Sequence, residues 1–371
     1  MKKILSVLLN FIFMFCPVKK NKIIFETGRG KIDDNPLAIY HYMKKNNPEY
    51  RLIWLAKKGT DTSELDGGEV YYYRTFKAYY HLATAKYWVR SNSLDSLVKK
   101  RKNQKCLYVN HGNLGLKKCE YDITNPKERP PLPFTRDWDY YIAASDTDLK
   151  LIRSSTGYAG VGVVLGMART DKLVFLDENK INDIKNKLGI TSKDKKIVLY
   201  APTFRDSDLE KGFMDYNVNK LADIPDVLVV ATVHPLAKGL VDRDSFDKKI
   251  IDAIDYPDMN DLLMISDVLI TDYSSNIFDF CILRKPIVFY PYDYDEYTAY
   301  RGQFYLDYKK DLPGPIAYNI DELYEYIKNI DKVKEEYKEK LEKFNFIYNH
   351  MHDGHACERF VKELKSGNFD M

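Results

Sequence analysis

Polar side chains suited to phosphate binding and proton transfer follow four predicted strands, at the points where those strands end. His111 follows CLYVN, and Thr203 and Arg205 follow KIVLYAP. His234 follows VLVVATV, and Asp272 follows VLIT. An imidazole can take up a proton near neutral pH, and guanidinium and hydroxyl groups bind phosphate oxygens. These residue types therefore predict a site for a phosphate-bearing ligand with an acid–base group beside it.

The segment DYSS, after the fourth of these strands, adds a predicted helix start. Ser274 and Ser275 stand where N-cap residues belong, before a helix predicted to begin near Asn276. The first turn of a helix has unpaired backbone N–H groups and the positive end of the helix dipole, which together attract phosphate. The alternative is helix capping without a ligand.

Structural alternatives exist at the other three strand ends as well. A lone histidine such as His111 is more often structural than catalytic, and His234 before Pro235 suits a turn. Arg205 and Asp206 suit a surface ion pair. Ligand binding is favoured because the carboxyl ends of parallel strands meet at one edge of a sheet, where open α/β sheets bind their ligands.

The strands that carry these residues belong to two series of short apolar runs alternating with longer amphipathic runs. KIIFE, RLIWL, YWV and CLYVN belong to the first series, and KIVLY, VLVVA, DVLIT and KPIVF to the second. Such alternation predicts an α/β protein with two Rossmann-like halves and parallel sheets, with a boundary in GMARTDK. The predicted parts are a membrane-associating amphipathic segment at 1–20, Rossmann-like domains at 21–168 and 169–345, and a carboxyl-terminal helix at 346–371 that can pack back on the first domain.

Composition limits the classes of function. A chain of 371 residues with 45% hydrophobic content suits two domains. The 57 Lys and Arg against 54 Asp and Glu give a net charge of +3, too balanced for a dedicated nucleic-acid binder. Five scattered cysteines without a CxxC pair disfavour a disulfide framework or a zinc site and favour a reducing compartment. Asp293 and Asp295 make only a weak DxD pattern, and we predict neither a metal nor a cofactor.

The amino terminus contains one apolar stretch, Ile4–Val18, between basic pairs. This stretch is shorter than the roughly 20 residues of a membrane-spanning helix. Lys19 and Lys20 stand where a secretory signal peptide needs small residues. A helix lying flat in the headgroup region fits better, with Ser6 and Asn10 as a thin polar stripe. The alternative is a helix packed on the protein's own body.

Nine segments, in order from about Asn21 to Glu358, resemble the successive blocks of the CDP-glycerol glycerophosphotransferase family, which contains the teichoic acid primases and polymerases. These segments are KNKIIFETGRGKIDDNPLAIYHYM, AKYWVRSNS, NHGNLGLKKCEYD, GMARTDKL, LYAPTFRD, VHP, ITDYSSNIFDF, RKPIVFYPYDYDEY and the Arg301-Gly302 segment. The resemblance implies a GT-B-like fold with an acceptor domain, then a CDP-donor domain, and a cleft between them.

The resemblance also implies an activity and partners. Glycerol phosphate would pass from CDP-glycerol to an undecaprenyl-linked glycan acceptor, with release of CMP, in the synthesis of teichoic acid or a related wall or capsule polymer. The enzyme would attach peripherally to the inner leaflet, at the cytoplasmic face of the membrane. Three alternatives stay open: a CDP-ribitol-dependent polyol phosphotransferase, a GT-B nucleotide-sugar glycosyltransferase, and a non-catalytic nucleotide-binding scaffold.

Roles for individual residues come from the same resemblance. The histidine of the family's HG block is the proposed general base and corresponds to His111. Contacts to the donor and its phosphates are implied for Thr203, Arg205, His234, Asp272, Ser274 and Ser275. Asn113, Asp279 and Arg301 are implied as cleft residues. Asn113 stands where the family usually has Thr, which leaves acceptor choice open, and Ala168 stands where it often has Pro in what we interpret as a hinge region.

Overall fold

The computed structural model of the chain divides into two compact units. The first comprises Met1–Asn113, Arg129–Asp171 and Met351–Met371, and the second comprises Leu114–Glu128 and Lys172–His350. The residues that the structure describes are 2–91, 96–123, 133–192, 194–205, 208, 212, 214, 218–301 and 303–371. Each unit contains its own parallel β-sheet.

The first unit contains a seven-stranded parallel sheet. In chain order, its strands β1 to β7 are Lys19–Glu26, Arg51–Ala56, Glu69–Tyr72, Ala85–Arg90, Lys105–Val109, Tyr140–Ala143 and Val161–Val164. Their order across the sheet is β3-β2-β1-β4-β5-β6-β7. In β1, Ile23 and Phe25 pack into the core on one face and Ile24 into the core on the other. Burial on both faces explains the continuous apolar run in this strand.

Helices connect the strands of both sheets. In chain order, the helices α1 to α12 of the described residues are Lys2–Met14, Asp34–Asn46, Phe76–Thr84, Asp146–Thr156, Asp171–Val174, Glu178–Lys187, Met259–Ile265, Asn276–Ile282, Tyr294–Arg301, Ile320–Lys328, Ile330–Tyr348 and Ala356–Ser366. Side chains cap several of them. Thr75 accepts from the backbone N–H of Ala78 at the start of α3, and Ser145 accepts from the backbone N–H of Asp148 at the start of α4.

Helix α1 packs on the first unit through one side. Leu9 and Phe13 are buried against α3, and the Ser6 hydroxyl donates to the carbonyl oxygen of Leu97 at 2.7 Å. The Asn10 amide donates to the same oxygen at 2.8 Å. The polar stripe of Ser6 and Asn10 therefore anchors the helix to the protein. Among the described helices, none combines the length and the hydropathy that a membrane-spanning segment requires.

The second unit contains a five-stranded parallel sheet. Its strands β8 to β12 are Lys196–Tyr200, Val227–Ala231, Ile251–Asp252, Val268–Thr271 and Ile287–Phe289, in the order β10-β9-β8-β11-β12 across the sheet. Successive residues of β8 alternate between two cores, with Ile197 and Leu199 in one and Val198 and Tyr200 in the other. The predicted α/β class with two Rossmann-like parallel sheets is confirmed.

The segment that begins at Leu114 belongs to the second unit, although the predicted first domain, 21–168, includes it. Backbone hydrogen bonds are the reason: the N–H of Tyr305 donates to Leu116 at 2.8 Å, and the N–H of Lys118 donates to Gln303 at 2.9 Å. Close packing adds to them, because a side chain at Gly115 would overlap the rings of Tyr348 and Phe278.

Helix α12 belongs to the first unit. Its Phe360 is buried in the same core as Ile23 and Phe25 of β1. The carboxylate of Asp171 accepts hydrogen bonds from the backbone N–H groups of Ala356 and Cys357, at 3.0 and 2.9 Å. These bonds satisfy unpaired donors at the start of the helix.

Candidate functional site

Four strands of the second unit, neighbours in its sheet, end at the same edge and supply most of the predicted donor-binding residues. Strands β9, β8, β11 and β12 lie side by side in that order and are all parallel. His234 follows β9, Thr203 and Arg205 follow β8, and Asp272 follows β11. Asp293, which follows β12, joins them. The sheet thus brings together the side chains that the sequence placed after separate strands, as parallel pairing requires.

Arg205 connects three of these loops. Its guanidinium donates two hydrogen bonds to the carboxylate of Asp293, at 2.6 and 2.8 Å, and one to the carbonyl oxygen of Thr203. It also lies 2.8 Å from a carboxylate oxygen of Asp272. The side chain is only 5% exposed. Burial opposes the positive charge, but the charges of Asp272 and Asp293 outweigh burial and raise the pKa of Arg205.

Aromatic rings enclose the same guanidinium. It lies about 5 Å from the ring centres of Tyr273, Tyr292 and Tyr297. Tyr273 and Tyr297 stack on each other, with ring centres 3.7 Å apart. Such contacts favour a cation over the ring faces. Arg205 is therefore held firmly in place, and a direct contact with a donor phosphate, which stays a prediction, would require its ion pairs to open.

Asp206, the alternative surface partner of Arg205 considered from the sequence, lies outside the described residues. The partners of Arg205 that are described, Asp272 and Asp293, come from two other loops of the edge. Asp293 was considered from the sequence only as part of a weak metal motif. In the described residues, no group of three or more His, Cys, Asp or Glu side chains could hold a metal ion.

Thr203 lies at the centre of this edge. Its backbone N–H donates to Asp272 at 2.8 Å, and its side chain is largely buried. The hydroxyl oxygen has no hydrogen-bond partner among the described residues. Burying a hydroxyl that makes no hydrogen bond within the protein costs free energy, unless a ligand or water donates to it or accepts from it. A ligand oxygen at this edge would provide such a partner.

His234 is exposed, and its ring lies 4.7 Å from that of Phe204, measured between centres. Its Nδ1 accepts a hydrogen bond from the backbone N–H of Leu236 at 3.3 Å. An imidazole nitrogen that accepts carries no proton, so the neutral ring has its proton on Nε2. Nε2 is then a hydrogen-bond donor, which is what a phosphate ligand requires.

The DYSS segment leads into α8 as the sequence predicted, with a helix from Asn276. Ser274 accepts from the backbone N–H of Asn276 through its hydroxyl at 3.3 Å. Ser275 occupies the N-cap position, but its side chain does not cap the helix. Both serines are half-buried, and Asp279, farther along the helix, is buried.

His111 lies at the corresponding edge of the first unit, directly after β5 and Asn110. The side-chain oxygen of Asn110 accepts from the backbone N–H of His111 at 2.9 Å. The imidazole is exposed, yet the surrounding protein desolvates its charged form and lowers its pKa. Asp34 opposes this shift, and Arg169 adds to it. The neutral imidazole that a general base requires is therefore the favoured form.

Asn113 and Arg301 were implied as cleft residues together with Asp279. Asn113 is buried, two residues after His111. Arg301 ends α9, and its side chain lies outside the described residues. Sequence reasoning missed Asp34, Asn35 and Arg169, which contact the His111 segment. Their position after β1 and β7, at the carboxyl edge of the same sheet, was the available signal.

Two parallel-sheet units with polar groups at their carboxyl edges define a GT-B-like α/β protein. A structure of Staphylococcus aureus MnaA with UDP shares this fold, with a TM-score of 0.56, 15% identity, and 94% of this chain and 98% of that one covered. The family model for CDP-Glycerol:Poly(glycerophosphate) glycerophosphotransferase matches residues 8–366, and the chain belongs to that family of transferases. The resemblance recognised in the sequence is confirmed.

The names of individual relatives place those proteins in teichoic acid synthesis. The chain is 34% identical over 368 residues to the teichoic acid glycerol-phosphate transferase of Staphylococcus aureus, with 93% of each covered. It is 33% identical over 366 residues to the teichoic acid poly(glycerol phosphate) polymerase of Staphylococcus epidermidis. That match covers 92% of this chain but only 50% of the polymerase. The solved structure of the wall teichoic acid polymerase TagF matches with a TM-score of 0.86 and 30% identity, over 98% of this chain and 93% of that one.

Proposed function

We propose that this chain transfers glycerol phosphate from CDP-glycerol to a hydroxyl group of a lipid-linked acceptor and releases CMP. The similarity to a glycerol-phosphate transferase along 93% of both chains supports this substrate class. We further propose an undecaprenyl-linked glycan as the acceptor, at the inner leaflet of the cell membrane. The product would be a teichoic acid or a related wall or capsule polymer.

The edge of the second unit is the proposed donor site, and the observation that carries this assignment is the buried hydroxyl of Thr203, which has no partner among the residues that the structure describes. At the same edge, His234 offers an Nε2–H donor, and Ser274 and Ser275 directly precede α8. Arg205 with Asp272 and Asp293 carries a net charge of −1, so it does not attract phosphate by itself. Hydroxyl groups and His234 would therefore bind the pyrophosphate, with Arg205 and Asp272 holding their loops in place.

His111 is the proposed general base. An acceptor hydroxyl would give its proton to the neutral imidazole while its oxygen forms a bond to the β-phosphorus of CDP-glycerol. The bond from that phosphorus to the bridging oxygen breaks, and CMP leaves with the electron pair. Base catalysis of this kind contributes about 10²- to 10⁴-fold. The lowered pKa of His111 supports the role, since the unprotonated form can accept the proton.

One assay separates the candidate functions. The purified chain is incubated with a lipid-linked acceptor and with CDP-glycerol, CDP-ribitol or UDP-sugars, and release of CMP or UDP is measured. We expect CMP release with CDP-glycerol. Release with CDP-ribitol alone would favour the ribitol alternative. The 31% identity to a Staphylococcus aureus ribitol-phosphate polymerase is the reason to include this donor. Release of UDP alone would favour a sugar transferase, and no release from any donor would favour a scaffold.

Helix α1 is the proposed membrane contact. Its outward side presents apolar side chains, among them Ile4 at 75%, Val7 at 71% and Phe11 at 59% exposure. Transfer of such an apolar surface from water into the headgroup boundary of a bilayer is favourable. Lys3, Lys19 and Lys20 are exposed near its ends and would meet anionic lipid.

Substituting Ile4, Val7 and Phe11 by Ser tests this contact and leaves the buried Leu9 and Phe13 in place. We expect at least a tenfold loss of binding to vesicles containing phosphatidylglycerol. A matched variant with Ser at three other exposed apolar positions is the control. Those positions are Val161, Phe175 and Phe346. Equal binding by both variants and the unmodified chain would exclude α1 as the membrane contact.

A further inference from the structure

A closed ring of hydrogen bonds holds the backbone of the His111 segment. The Asn35 side chain donates to the carbonyl oxygen of Asn110 at 2.6 Å and accepts from the backbone N–H of Arg169 at 2.9 Å. The Arg169 guanidinium donates to the carbonyl oxygen of His111 at 2.5 Å and to Asp34 at 2.8 Å. Three loops, after β1, β5 and β7, are joined in this way.

The side chains that form this ring are largely shielded from water, although the hydrogen bond from Arg169 to the carbonyl oxygen of His111 is exposed. Asn35 is 2% exposed, and the side chains of Arg169 and Asp34 are 17% and 13% exposed. Buried hydrogen bonds to a charged group are stronger than exposed ones and are costly to leave unpaired. Asp34 also has a φ of 64°, in the left-handed region that residues other than glycine rarely adopt. The surrounding contacts hold Asp34 in this strained conformation beside Arg169.

Asp34 and Arg169 carry opposite charges close to His111. Asp34 stabilises a protonated imidazole, and Arg169 destabilises one. Each charge also restrains the other through their ion pair. The ring therefore connects to His111 in two ways, through the backbone that positions it and through the electrostatic field around its imidazole.

We propose that Asp34, Asn35 and Arg169 are positioning residues for His111, which fix its backbone and balance the charge around its ring. The inference rests on the proposed role of His111 as the base. It also gives the GMARTDK segment, interpreted from the sequence as a hinge region, a part in the reaction. Within that segment Arg169 holds His111, while Asp171 caps α12.

Three variants of the full chain separate positioning from charge. Asp34→Asn keeps the shape and, because Asn tolerates a positive φ, also keeps the fold. We expect its His111 pKa to fall, because the carboxylate charge is lost. Arg169→Gln is expected to raise the His111 pKa, because a repelling positive charge is lost. Asn35→Ala removes two hydrogen bonds but no charge, so we expect a lower kcat and an unchanged pKa.

The measurement is an NMR titration of the histidine rings, with the His111 signal assigned by its loss in His111→Gln. The chain has seven histidines, which makes this assignment practical. Opposite pKa shifts in Asp34→Asn and Arg169→Gln support the proposal if kcat also falls about tenfold or more in Asn35→Ala and Arg169→Gln, which lose bonds to the His111 segment, and KM for CDP-glycerol changes little. Shifts of the same sign, or unchanged kcat, overturn it.

The titration requires no turnover, so it separates this inference from the proposed function. If His111→Gln keeps full activity, His111 is not the base, and the proposed mechanism fails even if the pKa shifts appear. If His111→Gln is inactive but the three variants behave like the unmodified chain, only the positioning inference fails. Arg153→Gln, at an exposed position on α4, controls for loss of a positive charge and should change neither kcat nor the pKa. Arg169→Lys, which restores a charged donor, should recover part of the lost kcat.

Discussion

Each of the two sheet edges contains a shielded arginine, but the two arginines are paired differently. Arg205, in the second unit, contacts two carboxylates and three tyrosine rings. Arg169, in the first unit, pairs with the carboxylate of Asp34 and with a backbone carbonyl oxygen. The first cluster has a net charge of −1, and the second pair is neutral.

This difference fits different tasks. A negative cluster beside the proposed donor site leaves phosphate binding to hydroxyl and N–H groups, and the arginine serves to connect the loops. A neutral pair beside His111 holds the backbone and leaves the imidazole without a strong bias toward either charge state. The same residue type thus acts as a cross-link in one unit and as a local support in the other.

The largest expected effect is on the base itself. Replacing His111 by Ala should lower kcat by about 10²- to 10⁴-fold, since no other group is assigned to take the acceptor proton. CMP release at saturating CDP-glycerol measures this loss. His355→Ala, at an exposed position on the surface of the same unit, should keep near-normal turnover. Near-normal turnover in His111→Ala would remove the proposed base.

The second prediction compares how much each of the two arginines contributes to the free energy of unfolding. Arg205→Met leaves Asp272, which is 1% exposed, and Asp293 without their cation, and should cost about 3–5 kcal/mol in the free energy of unfolding. Arg169→Gln should cost less, about 1.5–3 kcal/mol, because one less buried carboxylate is left unpaired. Urea denaturation measures both. Equal losses would contradict the distinction between a cross-link and a local support.

A smaller effect concerns the hydroxyl of Thr203. Thr203→Val keeps the shape and removes a group that has no partner among the described residues, so stability should not fall. If the hydroxyl binds the donor, KM for CDP-glycerol should rise about tenfold, equivalent to one hydrogen bond.

Thr271→Val is the matched control, because the Thr271 hydroxyl donates to the carbonyl oxygen of Ala201 at 2.7 Å. It should lower stability by about 1 kcal/mol and leave KM for the donor unchanged. An unchanged KM in Thr203→Val would exclude its hydroxyl from donor binding.

The parallel sheets and the positions of the residues at the strand ends could be predicted from the sequence. Apolar runs such as KIVLY and VLVVA predict buried parallel strands, and the residue after each strand must lie at the carboxyl edge. His111, Thr203 and His234 could be placed on that basis. The helix start at Asn276 could also be predicted, because Ser and Asn favour such positions.

The pairings at those edges could not be predicted. Arg205 contacts Asp293 across 88 positions of sequence, and Arg169 contacts Asp34 across 135. Several acidic and basic residues lie at the strand ends, and a single sequence does not indicate which acid forms an ion pair with which base. The pairing of the segment after Leu114 with residues 303–305 was missed for the same reason, since it rests on backbone hydrogen bonds that any residue type can make.

The smallest expected effect is a pH dependence that assigns the proton transfer to one edge. Because desolvation and Arg169 lower the pKa of His111 while Asp34 raises it less, the acid limb of kcat/KM should lie below the ordinary histidine value of about 6.5. Activity then persists as pH falls to about 6.5 and is lost as His111 takes up a proton at lower pH. Measuring kcat/KM for CDP-glycerol across this range locates the limb.

His234 provides the contrast for this measurement, because it is assigned to donor binding at the other edge. His234→Gln should weaken donor binding and leave the acid limb where it was, since the titrating group is unchanged. Asp34→Asn should move the limb to lower pH. If the limb instead disappears in His234→Gln, the titrating group belongs to the second unit. The proton transfer and the donor would then share one edge, and the division of tasks between the two arginines would fall with it.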